Sequence, residues 1–349
     1  MFENSERTDL KNLGEFGLIE HLTKNIKLYD PSTTRGVGDD AAVLDFSGKK
    51  TLVSTDLLLE GIHFDLAYTP LKHLGYKAIQ VNLSDIYAMN GIASQVTVSL
   101  GLSSKFPLEA VEELYSGVLL ACDQYQVDLV GGDTSASKQG LVISVTSIGY
   151  ASEKDICYRN TAGEGDLLCV SGDLGGAYLG LQLLEREKQI FLENPNIQPD
   201  LEGKDYIIER QLKPEARKDI VKLLADLGIK PTAMIDVSDG LASEILHICK
   251  QSGKGCTLYE EKIPIDPMTY ETAREFGIDP TVCALNGGED YELLFTIGQS
   301  DYEKIRNMPD ISVIGHITDK ASGANMVSKS GNSHGIKAQG WNAFKNSHS

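Results

Sequence analysis

Thr51-Leu-Val-Ser-Thr-Asp56 is an apolar and β-branched run that ends on three consecutive oxygen-bearing side chains, and residues 72–90 behind it carry helical spacing. A strand that delivers polar groups at its end, followed by a helix, is the repeating unit of a layered α/β sheet. The theme continues outward from this pair. Residues 93–102, 127–130 and 141–150 read as strands and 108–125 as a helix. Further strands are expected at 166–170, 233–237, 255–259, 291–297 and 311–317, with helices at 177–187, 214–227 and 241–251. The short polar turn Asn160-Thr-Ala-Gly-Glu-Gly165 marks a junction, and 193–204 reads as a surface loop. Residues 320–337, rich in Gly, Ser and Asn, read as a hairpin or a lid. The expected fold is α/β (α+β) in two domains, residues 1–150 and 151–349, which suits 349 residues at roughly 150 per domain.

Composition narrows the function classes. Hydrophobic residues make up 41% and charged residues 23%, the balance of a globular chain, and no apolar run approaches the ~18 positions of a membrane span. The polar start at residues 1–9 lacks the basic and apolar segments of a signal peptide. Six scattered cysteines without a C-x-x-C pair read as reduced thiols of a cytoplasmic protein. Fifty acidic against 32 basic residues give a net charge of −18, which repels nucleic-acid backbones. Acidic excess alone means a solvated surface. What matters is where the aspartates sit.

Four motifs place acids where a fold alone would not. Gly36-Val-Gly-Asp-Asp-Ala-Ala42 leads Asp39 and Asp40 into an apolar segment. Ser54-Thr55-Asp56 closes a strand. Asp85 falls on the same helical stripe as Leu74, Ala78, Val81 and Ala88, with His73, Lys77, Gln80, Ser84 and Tyr87 opposite. A carboxylate on a core-facing stripe is costly unless a cation or several donors meet it; a helix end tucked against a neighbouring amide is the plainer reading. Gly131-Gly-Asp-Thr134 and Asp236-Val-Ser-Asp-Gly240 each follow a hydrophobic run, where sheets deliver ligands. Hard oxygen donors without His or Cys clusters suit Mg²⁺ or Mn²⁺, and clustered Mg²⁺ suits a polyphosphate. The P-loop, protein-kinase and G-x-G-x-x-G signatures are missing, so a nucleotide would be held through metal ions, glycine turns and a few basic groups such as Arg159. Gly172-Asp-Leu-Gly-Gly176 either offers amides to a phosphate or serves tight packing.

These residues resemble the thiamine-monophosphate kinase family. The resemblance rests on Gly36–Ala42, Val53-Ser-Thr-Asp-Leu-Leu-Leu-Glu-Gly-Ile-His-Phe-Asp65, Val81-Asn-Leu-Ser-Asp85 and Gly131-Gly-Asp-Thr134. It continues through Asp236-Val-Ser-Asp-Gly-Leu241 and Gly287-Gly-Glu-Asp-Tyr-Glu-Leu293, with Gly14-Glu-Phe-Gly-Leu-Ile19 and Gly340-Trp-Asn-Ala-Phe344 near the ends. The chain departs from the family pattern at Ala88-Met-Asn-Gly91, at Asn160-Thr-Ala162 after the arginine, and at Ala343.

The resemblance implies a two-domain fold shared with aminoimidazole ribonucleotide synthetase, selenophosphate synthetase and the hydrogenase-maturation protein. Its N-terminal mixed sheet pairs with a second copy into a barrel, its C-terminal domain is an α/β sandwich, and the protein is a homodimer. It implies ATP-dependent phosphorylation of thiamine monophosphate to thiamine diphosphate, with ATP as co-substrate, several Mg²⁺ ions, and K⁺ left open. Asp39, Ser54, Thr55, Asp56, Asp85, Asp133, Asp236 and Asp239 are the implied metal ligands. Tyr115, Gly132, Asp133, Arg159 and Ser238 are implied at ATP, and His63, Glu289 and Trp341 at the thiamine phosphate. His63 and Trp341 also have plain packing readings. A selenophosphate synthetase would carry a reactive cysteine near the start, whereas the first here is Cys122. A metal- or nucleotide-binding module without activity is the non-enzymatic alternative, and ADP formation separates the two.

Overall fold

The computed structural model describes residues 18, 21–35 and 43–339, in two compact units: Met1–Ile86 with Gly91–Lys154, and Tyr87–Asn90 with Asp155–Ser349. No helix among the described residues is long and apolar enough to cross a membrane.

In the first unit a short antiparallel pair, β1 (Thr33–Arg35) and β2 (Val43–Leu44), precedes the main elements. These are β3 (Lys50–Leu59), α1 (Leu71–Ala88), β4 (Ile92–Leu102), α2 (Leu108–Tyr125), β5 (Asp128–Ala136) and β6 (Val142–Ala151). The four long strands form one mixed sheet in the order β3-β6-β4-β5. Among directly paired strands only β4 and β5 run parallel, and the crossover helix α2 joins them. Alternation of side chains dresses the two faces differently. Ile143 and Val145 on β6 and Val96, Val98 and Leu100 on β4 are buried. On the other face Val53 and Leu57 are 65% and 51% exposed, and Ile92 is 52% exposed. The described chain leaves this apolar face uncovered.

Helix α1 is not amphipathic in the way its sequence suggests. Lys77, Gln80 and Ser84, expected on a solvent face, are 3%, 0% and 0% exposed, whereas Asp85 is only half-buried. Helix α2 packs against α1 backbone to backbone: a Cβ at Gly75 would lie 2.0 Å from the Leu114 carbonyl oxygen, and one at Gly117 would lie 1.8 Å from that of Lys72. Leu74, Ala78, Val81 and Ala88 are buried as well, so Asp85 is the partly open position of an otherwise buried stripe.

The second unit contains β7 (Leu167–Ser171), α3 (Gly176–Glu193), α4 (Asp205–Leu212), α5 (Lys218–Asp226), β8 (Ala233–Asp236), α6 (Leu241–Ser252) and β9 (Gly255–Tyr259). It continues with α7 (Pro267–Glu275), α8 (Pro280–Asn286), β10 (Leu293–Ile297), β11 (Ile311–Thr318), β12 (Ala324–Val327) and β13 (Ser333–Gly335). Seven strands make one sheet in the order β13-β12-β9-β11-β7-β10-β8. Its central strands are apolar on both faces. Leu168, Val170, Ile235 and Leu294 pack with Leu241, Ile245 and Ile248 of α6. Cys169, Met234, Phe295 and Ile297 pack with Ile220 and Leu224 of α5. Residues 320–337 are a hairpin: β12 runs parallel to β9, and β13 pairs back onto it as the sheet edge.

Gly117→Ala should destabilise the chain by about 1–3 kcal/mol, because backbone rather than a flexible side chain occupies the space. Thermal denaturation followed by circular dichroism would register this as a fall in Tm, whereas an ordinary exposed helix glycine would gain stability from the same change.

Candidate active site

Ser54-Thr55-Asp56 lies within β3, which runs on to Leu59, and not at a strand end as the sequence led one to expect; its alternate residues face opposite sides of the sheet. Ser54 and Asp56 point toward α1, where the Ser54 hydroxyl donates to Asp85 Oδ2 at 2.5 Å. The Asp56 amide donates to Asn82 Oδ1 at 3.0 Å, Asn82 Nδ2 donates to the Ala78 carbonyl at 2.9 Å, and Ser147 Oγ donates to the Asn82 carbonyl at 2.9 Å. Fully buried Asn82 thus bolts β3 and β6 to the helix that carries Asp85. Sequence reasoning missed it; the available signal was a polar residue one turn before Asp85 on a buried helix. Burial, and then the nearby Asp85 charge, push the Asp56 carboxyl up to about 6. His63, in the loop after β3, accepts the Leu59 amide on Nδ1 at 3.0 Å, so the neutral ring carries its proton on Nε2.

Thr55 and Asp133 stand apart from that cluster within one chain. The Thr55 hydroxyl donates to the Val145 carbonyl at 2.9 Å and receives Thr146 Oγ1 at 3.2 Å, on the face opposite to Asp56. Asp133 stands beside Ser99, Ser144 and Leu57 in register, which puts it on the same open face as Thr55. Gly132 lies in the Asp56 row, opposite Val98, where a Cβ would come 2.0 Å from the Val98 carbonyl oxygen; sheet packing alone demands glycine. Tyr115 is only 8% exposed on α2, and burial pushes its hydroxyl up to about 12. Asp39 and Trp341 lie outside the described residues.

In the second unit β8 runs into a tight turn that carries buried Asp236, then Ser238 and Asp239, before α6 begins at Leu241. Glu244, from the first turn of α6, reaches back: its Oε1 accepts the Asp239 amide at 3.1 Å and lies 3.5 Å from Ser238 Oγ. Glu244 is 2% exposed, and burial pushes its carboxyl up to about 8. Burial also raises the Asp239 carboxyl, against an opposing pull from His247.

The Gly287–Glu292 segment is stitched onto this turn. Glu289 N donates to the Ser238 carbonyl at 2.7 Å, Tyr291 N to that of Val237 at 2.9 Å, and Val237 N to that of Glu292 at 2.7 Å. Gly288 adopts φ +73°, and a Cβ there would meet the Ser238 carbonyl oxygen at 2.5 Å. Glu289 and Tyr291 hold φ of +58° and +52°, a conformation such residues rarely adopt. The three acids of the motif go separate ways. Glu289 takes Gln211 Nε2 at 2.9 Å. Glu292 accepts from Arg210 at 3.0 Å, from Ser171 Oγ at 2.5 Å, and from Arg217. Asp290, fully buried, accepts the Gly175 amide at 2.8 Å and the Ala177 amide at 3.3 Å, with its carboxyl pushed up to about 7 by burial.

This last contact decides the Gly172–Gly176 loop. Its amides, which sequence left open for a phosphate, already hold an internal carboxylate. Arg159 is exposed, and its carbonyl receives the Ser252 hydroxyl at 3.3 Å.

Residues 38–151 match the family model for the AIR synthase related protein, N-terminal domain. The thiamine-monophosphate kinase of Bacillus subtilis is 33% identical over 343 residues, which cover 95% of this chain and all of the relative. That of Aquifex aeolicus is 36% identical over 302 residues, 86% of this chain and 92% of the relative. The solved structure of AaThiL complexed with AMPPCP and TMP superposes with a TM-score of 0.73 at 33% identity, covering 99% of this chain and 100% of that one. The chain belongs to the thiamine-monophosphate kinase family. It is an enzyme of that class, a phosphotransferase with a phosphate group as acceptor.

The acid pair in the first unit has a thermodynamic signature. Asp56 sits at about 6 in the fold against an ordinary 3.8, so the fold favours its protonated form and loses stability as pH rises between those values. Without divalent cations, Asp56→Asn should therefore melt above the parent at about pH 7.5, with the gap closing near pH 4. Melts at the two pH values check it; an unchanged Tm at the higher pH would contradict the repulsion.

Proposed function

We propose that the chain transfers the γ-phosphoryl group of ATP directly onto the phosphate of thiamine monophosphate, giving thiamine diphosphate and ADP. An acceptor phosphate oxygen attacks the γ-phosphorus as the bridging bond to the β-phosphate breaks. That oxygen is nucleophilic at neutral pH, so no protein base is needed, and catalysis rests on positioning and charge neutralisation. The observation that carries this reading is the Asp56–Asp85 arrangement: two carboxylates from different elements turned toward one space, with their charges in conflict. Such donors, with Ser54 and without His or Cys, fit a hard divalent cation. Mg²⁺ bound there would supply charge neutralisation between the two polyanions.

The chain's own residues divide the remaining work. Asp56, Asp85 and Ser54 provide hard oxygens in the first unit, and Asp39 is their proposed companion. Asp236 and Asp239 do so in the second, with Glu244 holding their turn in shape. Ser238 and Arg159 are assigned to ATP, and Gly132 keeps a side chain out of the Asp56 row. His63, Glu289 and Trp341 are assigned to the acceptor. Thiamine is cationic at its thiazolium and rich in N–H and ring-nitrogen groups at its pyrimidine, chemistry that a carboxylate and an aromatic face both suit.

We infer that the protein is a homodimer through the open face of the β3-β6-β4-β5 sheet. Val53, Leu57 and Ile92 make that face too apolar to leave in water, and a second copy would close two sheets into a barrel. Thr55 and Asp133 lie on this face, so they would act at the dimer interface. Six buried cysteines without a disulfide suit a cytoplasmic setting.

Asp56→Asn and Asp85→Asn should each lower turnover of ATP plus thiamine monophosphate by at least about 100-fold while leaving the chain folded, with ADP release as the measure. Near-normal rates at saturating Mg²⁺ would remove that residue from the metal site. Leu57→Lys should convert a dimer to a monomer in sedimentation equilibrium, whereas a parent that sediments as a monomer would exclude the interface.

A further inference from the structure

The last turn of helix α4 carries two consecutive polar residues, Arg210 and Gln211, and both brace the Gly287–Glu292 segment. Arg210 donates to Glu292 at 3.0 Å and to the carbonyls of Asp173 at 3.0 Å and Asp290 at 3.3 Å. Gln211, only 4% exposed, donates Nε2 to Glu289 Oε2 at 2.9 Å. The two kinds of grip differ. Glu292 is held by the guanidiniums of Arg210 and Arg217, and Asp290 lies 3.7 Å from Arg210, so both acids are neutralised in place. Glu289 accepts from the side-chain amide of Gln211, a directional contact that fixes the plane of its carboxylate. Its backbone is equally constrained: φ is +58°, and its amide is bonded to Ser238. A side chain on such a backbone has its Cα–Cβ direction set by the loop, and the amide then sets the carboxylate plane.

We propose that Gln211 is a positioning residue for the phosphate acceptor. It holds the Glu289 carboxylate in one orientation toward the cationic, N–H-rich heterocycle of that acceptor. This rests on the assignment of Glu289 to the acceptor made above. Removing a hydrogen bond to a charged group predicts a rise in KM of about 10- to 100-fold for the acceptor.

The test compares Gln211→Leu, Glu289→Gln and the double variant in steady-state kinetics, with thiamine monophosphate and ATP varied separately and Tm recorded. Gln211→Leu should raise KM for thiamine monophosphate by that factor and change KM for ATP by less than about twofold. The double variant should be no worse than Glu289→Gln alone, because both changes remove one interaction. An unchanged acceptor KM in Gln211→Leu, beside a raised one in Glu289→Gln, would overturn the role of Gln211 and leave Glu289 at the acceptor. An unchanged acceptor KM in Glu289→Gln would overturn both. A parallel rise for both substrates with a fallen Tm would mean that Gln211 serves only the fold. Should Gln211→Leu fail to fold, Gln211→Glu keeps the size and sets like charges face to face, so its acceptor KM should rise further, and an unchanged value would overturn the proposal.

Discussion

Like charges do not gather unaided, and the first unit is built around forcing two of them together. Asp56 arrives on a strand and Asp85 on a helix, and burial with mutual repulsion lifts Asp56 to about 6. What holds them is a set of neutral contacts: Ser54 on Asp85, and Asn82 between β3, β6 and the turn of α1 that ends at Asp85. The glycine pair that lets α2 press on α1 belongs to the same scaffold, since it fixes the helix that must bring the second acid in. The arrangement stores an electrostatic cost in the free protein that a bound cation would relieve, as expected of a site organised before its ligand arrives.

The second unit handles its acids differently. Asp290 and Glu292 are consumed internally, one by the amides that open α3 and the other by two arginines. Both stand in the same short motif as Glu289, so proximity in sequence says little about role. Burial and partner decide it: Asp290 and Glu292 are fully buried and consumed by the fold, while Glu289 is only half-buried.

Much of this was legible in the residues. Strand and helix positions follow from periodicity, most closely for α2 at Leu108–Tyr125 and β9 at Gly255–Tyr259. Helices α4, α7 and α8 were not read, because short helices in the satellite core around Leu179, Ile207 and Cys283 carry too few apolar repeats. The faces of α1 were misread because burial on several sides removes the polar-out rule, so that Gln80 and Ser84 look solvent-facing and are not. Motif adjacency ignores strand alternation, so it does not show that Thr55 and Asp133 lie on the face opposite to Asp56. Asn82, Glu244 and Gln211 act on other site residues through contacts that no local pattern announces.

The Gly288 contact has a consequence for how such an enzyme diversifies. The backbone that carries Glu289 is joined by three hydrogen bonds to the backbone that carries Ser238, and only glycine fits the approach between them. Lengthening or shortening the Gly287–Glu292 segment would therefore disturb the Asp236–Asp239 turn at once. Descendants that accept a different substrate are barred from the commonest route, loop insertion and deletion, at this edge of the pocket. They must change by replacing side chains on a fixed backbone, or by remodelling segments outside it, so this loop should keep its length across relatives while its chemistry drifts.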